Sequence, residues 1–222
     1  MNRWLLASLV LTAAAFAACL TVYFGFHDRL PAEIPVHWGF SGAPDRFVPK
    51  DQALVSLITP ALVMLGAVGV GRLLPWLSPQ QFAIDSFRAT YEYLMFLMVA
   101  FFAWMQGLML AAALEPTLDL GRWVVAGAYL LFALLGNVLG KVQRNFWVGV
   151  RTPWTLASDT VWTQTHRLAA WLFVAGGLVG FAATLAGASG VWLFVGVLVA
   201  IAGVPVVYSL VLYKRLERQG RV

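Results

Sequence analysis

Charged side chains are scarce in this sequence, and so are most of the groups that carry out chemistry. Asp, Glu, Lys and Arg make up 11% of the 222 residues, against 61% hydrophobic ones, which is too few for a soluble domain of this length. A single cysteine, Cys19, excludes an internal disulfide and leaves the redox compartment open. No carboxylate falls inside the long apolar stretches, which counts against a proton-coupled pump. No nucleophile–base pair, glycine-rich phosphate loop or pair of membrane carboxylates is present, so no catalytic residue and no cofactor are expected. The net charge of +5 and the pI near 9.7 come from scattered basic residues rather than a dense block, so no direct contact with nucleic acid is expected.

What the chain has in abundance is uncharged apolar sequence. Trp4 to Phe26, Gln52 to Gly71, Tyr93 to Leu114 and Trp123 to Gly140 carry no charge, and Leu168 to Tyr213 is one uncharged run of 46 residues. A bilayer crossing takes about 20 residues, so the last run reads as two helices with a turn at Gly187–Gly190. The expectation is an all-α integral membrane protein, a bundle of about six transmembrane helices with a small extracellular cap. The first run follows Arg3, and Ala17-Ala18-Cys19 has some likeness to a lipoprotein cleavage site. However, Phe16 stands where such a site usually has Leu, and the run continues past the length of a signal core. An uncleaved helix is expected, with Cys19 as packing.

Lys and Arg then set the orientation. Arg3, Arg72, Arg88, Lys141, Arg144, Arg151, Arg167, Lys214, Arg215, Arg218 and Arg221 fall on one side, 11 in number; Arg29, Arg46, Lys50 and Arg122, four, fall on the other. The positive-inside rule places both termini in the cytoplasm and residues 27–51 outside, with the basic residues near anionic lipid heads. The sequence divides into a two-span domain over 1–76, with its external loop 27–51, and a four-span domain over 77–222, with a cytoplasmic signature loop at 141–167.

The two long connectors differ. Residues 27–51 are interrupted by Pro31, Pro35, Pro44 and Pro49, which argues against a long helix. Glu33–Trp38 is expected to run extended, Ser41–Asp45 to turn, and Ile34, Val36, Trp38 and Phe40 to be buried under an ordered cap. On the other side, Ser78-Pro79-Gln80-Gln81 has a capping-box arrangement, which predicts a third helix from Pro79 to about Leu114. Ser158 or Asp159 is expected to cap a helix that places Trp162 and His166 on one face.

The stretches HWGFSGAPDRFVPK and GKVQRNFWVGVRTPWTLASDTVWTQTHR resemble the SdpI-like family of bacterial membrane proteins across the whole chain. The first motif falls on Pro35, His37, Trp38, Gly42, Asp45 and Lys50. The second, long and specific, falls on Arg144, Asn145, Gly149, Arg151, Thr152, Pro153, Trp154, Thr155, Leu156, Trp162, His166 and Arg167. The resemblance implies an immunity protein of the cytoplasmic membrane that protects against a secreted, membrane-active peptide toxin, the sporulation-delaying factor. In the family's namesake, sensing of the toxin draws a transcriptional repressor to the membrane.

Read from the residues alone, Arg144, Arg151 and Arg167 can each bond phosphate or carboxylate in bidentate fashion, and Trp147, Trp154 and Trp162 suit the headgroup level. Two readings stand side by side. One is an interfacial belt whose arginines bond helix-end carbonyls. The other is a site for a ligand or partner made of Arg144, Asn145, Arg151, Trp154, Thr155, Trp162, His166 and Arg167, in which Arg144, Arg151 and Trp154 face one another. Outside, His37, Trp38, Gly42 and Asp45 form the cap, with His37 and Asp45 bonding across the turn. His27, His37, Asp45 and Glu33 have the chemistry of a zinc site but no close ligand spacing, so no metal is expected. Ser56, Thr59, Gln106 and Asn137 are expected to bond between helices. The alternative to immunity is a transporter or lipid-handling protein that holds a phosphate head with the Arg/Trp segment.

Overall fold

A computed structural model of the chain describes residues 2–39, 43–115, 117–188 and 190–222. Phe40, Ser41 and Gly42 of the expected cap turn, and Ser189 of the expected Gly187–Gly190 turn, lie outside the described residues. Among the described residues six helices are long and apolar enough to cross a membrane. The protein is an all-α, multi-pass membrane protein.

The chain packs as two units, residues 1–70 with 95–127, and residues 71–94 with 128–222. In the first unit, helix α1 (Arg3–Leu20) starts where the Asn2 side chain accepts from the Trp4 amide at 3.0 Å. Two polar residues on its buried face, Ser8 and Thr12, bond back to the carbonyls of Trp4 and Ser8, so their hydroxyls need nothing from a neighbouring helix. A π-helical turn at Thr21–Gly25 ends the run. Strands β1 (Glu33–Trp38) and β2 (Pro44–Pro49) form an antiparallel pair with Ile34 opposite Val48 and Trp38 opposite Pro44, and the register shifts around Val36 and His37. Such a bulge bends and twists the strand. Glu33–Trp38 is therefore extended, as expected.

The hairpin is anchored by burial. Ile34 is fully buried against Cys19, Tyr23, Leu30, Ala53, Leu57, Leu110 and Ala113. Trp38 packs on Leu108, Ala112 and Leu120. Cys19 is thus ordinary packing. The Tyr23 hydroxyl donates to the Asp51 carbonyl at 2.9 Å, which ties the hairpin's exit to the end of α1.

Helices α2 (Leu54–Leu77), α3 (Arg88–Leu114) and α4 (Leu120–Leu139) follow. Gln106 is 1% exposed, and its side chain donates to the Leu57 carbonyl at 2.7 Å and accepts from the Ala61 amide at 3.1 Å. In an undisturbed helix those two groups bond each other. They lie beside Pro60, whose ring loosens the ladder at that point, and the Gln106 amide satisfies both. Of the four polar residues expected to bond between helices, Gln106 does so. Thr59 bonds back to Val55 within its own helix, Asn137 is exposed, and among the described residues no such bond is seen for Ser56.

The start of α3 differs from expectation. Residues 80–82 and 84–87 form short 3₁₀ turns, and the α-helix begins at Arg88 rather than Pro79. The physical reason is that Ser78 does not cap this helix. Its hydroxyl donates back to the Leu74 carbonyl of α2 and accepts the Trp147 indole N–H, so the capping box is never formed.

In the second unit, the one-turn helix α5 (Pro153–Ala157) leads into α6 (Asp159–Leu185), which packs along α7 (Val191–Arg218). Helix α6 also meets α4 at backbone distance. A Cβ on Gly177 would stand 2.5 Å from the Ala133 amide nitrogen, and one on Gly136 2.7 Å from that of Val174. Close approach of this kind drives helix association where the lipid is as apolar as the side chains.

Candidate functional site

The signature segment folds around two buried polar residues. Asn145 is completely buried, and its side chain has no bonding capacity left over. Its Oδ1 accepts from the amides of Trp147 and Val148, both at 2.7 Å, and its Nδ2 donates to the carbonyls of Gln143 and Val148, both at 2.9 Å. One side chain thereby closes the turn after α4 without help from regular structure.

His166 does the same from α6. Its Nδ1 faces the Trp162 carbonyl at 2.8 Å, where it must donate, and its Nε2 accepts from the Val150 amide at 3.0 Å. A ring nitrogen that accepts an amide hydrogen carries no proton of its own, so this arrangement holds the neutral imidazole in one tautomer. The ring stacks on Trp162 at 4.1 Å and 19°, and the Trp162 indole donates to the Val142 carbonyl at 2.7 Å. Gly149 passes over the imidazole with φ of 110°, and a Cβ there would lie 2.3 Å from Nε2. Both the conformation and the space require glycine at this position.

Threonines 152 and 155 make the next turn. Each side chain bonds the other's backbone amide in a reciprocal capping box, with Pro153 at the first helical position. The Thr155 hydroxyl donates to the Val150 carbonyl at 2.7 Å, and Thr152 bonds Ser209 of α7 at 3.0 Å. Trp154 packs against Val161, Leu212 and Leu216. Ser158 caps α6 by accepting from the Val161 amide.

Arg144 and Arg151 have separate partners. Arg144 pairs with Asp159 at 2.7 Å, donates to the Leu156 carbonyl at 2.8 Å and lies over the Phe82 ring. It therefore clasps the end of α5 to the start of α6. Arg151 is exposed and donates to the Phe146 carbonyl at 2.6 Å. Arg167 is exposed on α6. Arg144, Arg151 and Trp154, expected to face one another, are each held by a different group. Asp159, read from the sequence only as a helix cap, neutralises Arg144. Partners in other elements, namely Ser78, Val142 and Ser209, gave no signal in the sequence.

In the first unit, His37 Nδ1 and Asp45 Oδ1 stand 2.6 Å apart across the hairpin, the bond expected there. His27 pairs instead with Asp51 at 3.2 Å. Among the described residues no group of three His, Cys, Asp or Glu side chains could hold a metal ion.

Residues 141–209, which contain this whole network, match the model of the SdpI/YfhL protein family. This segment is SdpI-like. Residues 7–64 match a second model, a domain of unknown function (DUF1648), which takes in the hairpin. The chain is also 28% identical over 172 residues to the immunity protein SdpI of Bacillus subtilis (strain 168), covering 78% of this chain and 77% of the relative. No solved structure matches. The SdpI/YfhL match begins where the apolar span ends and the Asn145 turn begins, and it continues through Ser209, the α7 partner of Thr152.

Proposed function

We propose that this SdpI-like protein is a bacterial immunity protein of the cytoplasmic membrane, giving resistance to a membrane-active peptide toxin without a catalytic step. The hairpin cap at 27–51 faces outward and meets the peptide. The signature segment faces the cytoplasm and passes the signal on, with a transcriptional repressor as its partner. The observation that carries this reading is the likeness to the immunity protein SdpI over 172 residues, together with the family-model match of the signature segment. The packing of the described parts of the two loops supports it: Ile34 and Trp38 pack in the first, and the bonds of Asn145 and His166 hold the second, as a surface that recognises a partner requires.

The test is survival of a toxin-sensitive host with and without this gene under exposure to the sporulation-delaying peptide. Expression is expected to restore growth, and Arg151→Lys and Trp154→Phe are expected to weaken protection while the protein still inserts. A host that dies equally with and without the gene would sink the immunity reading. If both variants protect like the parent, the segment is an anchor only.

Sidedness has its own check. In a Cys19→Ala background, cysteine at exposed Ala43 is expected to react with an impermeant thiol reagent in intact cells. Cysteine at exposed Lys141 is expected to react only after lysis. Thr155 would be a poor reporter because it is buried. Reversed labelling would invert every assignment of sides.

A further inference from the structure

We infer that Arg151 and Phe146 form a binding site for the phosphate head of an anionic phospholipid. Most of the signature's polar groups are already used. Asn145, His166, Thr152 and Thr155 have their bonds made inside the protein, and the segment's one acid, Asp159, is taken by Arg144. Arg151 is different. It is exposed, it uses one N–H on the Phe146 carbonyl, and among the described residues no carboxylate lies within ion-pair reach of it. A guanidinium has five N–H donors, so four remain for an anion. Because one N–H is fixed on a carbonyl, the planar fork is pre-oriented and loses less freedom on binding.

The surroundings select the kind of anion. The Phe146 side chain is 45% exposed, at 6.4 Å from the Phe82 ring and edge-on to Trp147 at 5.3 Å. The guanidinium is therefore held on the backbone of a residue whose half-exposed ring belongs to an aromatic cluster. Trp147 is bonded to Ser78, directly after the end of α2, where Leu73, Trp76 and Leu77 are 49%, 80% and 46% exposed. Exposed Trp and Leu at the end of a span mark the level of the lipid headgroups. A ligand at this level with one phosphate and an adjoining apolar part is a phospholipid. An anionic one is favoured over a zwitterionic one, since Arg151 has no acid beside it to offset its charge.

This inference does not depend on the immunity reading. The test is native mass spectrometry of detergent-purified full-length protein exposed to phosphatidylglycerol or phosphatidylcholine, with Arg151→Ala, Arg151→Lys, Phe146→Ala and the tail variant Arg218→Ala. The parent is expected to retain phosphatidylglycerol and little phosphatidylcholine. Arg151→Ala should lower retention about fivefold, and Arg218→Ala should not. Arg151→Lys should keep part of the binding, and Phe146→Ala should weaken it. Millimolar inorganic phosphate should not displace the lipid; if it does, the site reads free phosphate and the lipid assignment fails. Equal retention by parent and Arg151→Ala would overturn the site, as would an equal loss with Arg218→Ala. If Arg151→Ala does not elute as folded protein, Arg151→Lys decides: parent-like retention at parent-like charge selectivity would mean that the planar fork contributes nothing.

Discussion

Replacing Gly149 with alanine is expected to unseat the signature segment and abolish any activity that depends on it. The backbone at this position has φ of 110°, and the added Cβ would lie 2.3 Å from the Nε2 of His166. That conformation costs an L-residue about 1–2 kcal/mol, and overpacking typically adds 1–3 kcal/mol. The ring cannot move aside cheaply, because it is stacked on Trp162 and bonded on both nitrogens. The chain would have to lift instead, breaking the Val150–His166 bond. A loss of about 2–5 kcal/mol on these grounds should appear as a clear drop in the unfolding temperature in detergent. Adding His166→Ala removes the clash but not the unfavourable φ, so the double variant should recover part of the loss. A Gly149→Ala protein as stable as the parent would show that the segment is not held as described.

Replacing Asn145 with aspartate is expected to be nearly as damaging as replacing it with alanine, although the shapes are almost identical. The side chain's Oδ1 could still accept from Trp147 and Val148. The second oxygen would then face the carbonyls of Gln143 and Val148, which now receive hydrogen bonds from Nδ2. A fully buried carboxylate would thus replace two donors. An unpartnered buried polar group costs about 1–3 kcal/mol and a charged one more. The measurement is again the unfolding midpoint, read together with the fluorescence of Trp147, whose amide and indole both belong to this turn. A midpoint within about 2 °C of the parent, equivalent to under ~1 kcal/mol, would contradict the buried network.

The membrane class, the number of spans and the extended stretch Glu33–Trp38 were all legible because each depends on local composition. A run of uncharged residues is apolar wherever it ends up, and a proline lacks an N–H in any context. The His37–Asp45 bond was legible for a similar reason, since the two residues flank one turn. The start of α3 was misread even though its motif was local. Ser78-Pro79-Gln80-Gln81 has the composition of a capping box, but a hydroxyl can serve only a few partners. Here those are the Leu74 carbonyl and the indole of Trp147, 69 residues further along. Helix α3 therefore starts at Arg88.

The signature segment was recognisable from its residue types, while their roles were not. The sequence by itself determined that arginine, tryptophan, asparagine and histidine are concentrated at one span boundary in a chain with little charge to spare. Gly149 was also marked there, as a position of the motif. Only the tertiary structure decided which of these groups face inward. Asp159 reaches Arg144, Val142 receives the Trp162 indole, Val150 reaches His166, and Ser209 reaches Thr152, across separations of 15, 20, 16 and 57 residues. The physical reason is that hydrogen-bonding capacity is finite and is allotted in space rather than along the chain. Once packing had assigned partners to Arg144, Asn145, Thr155, Trp162 and His166, Arg151 was left exposed, with one N–H on the Phe146 carbonyl.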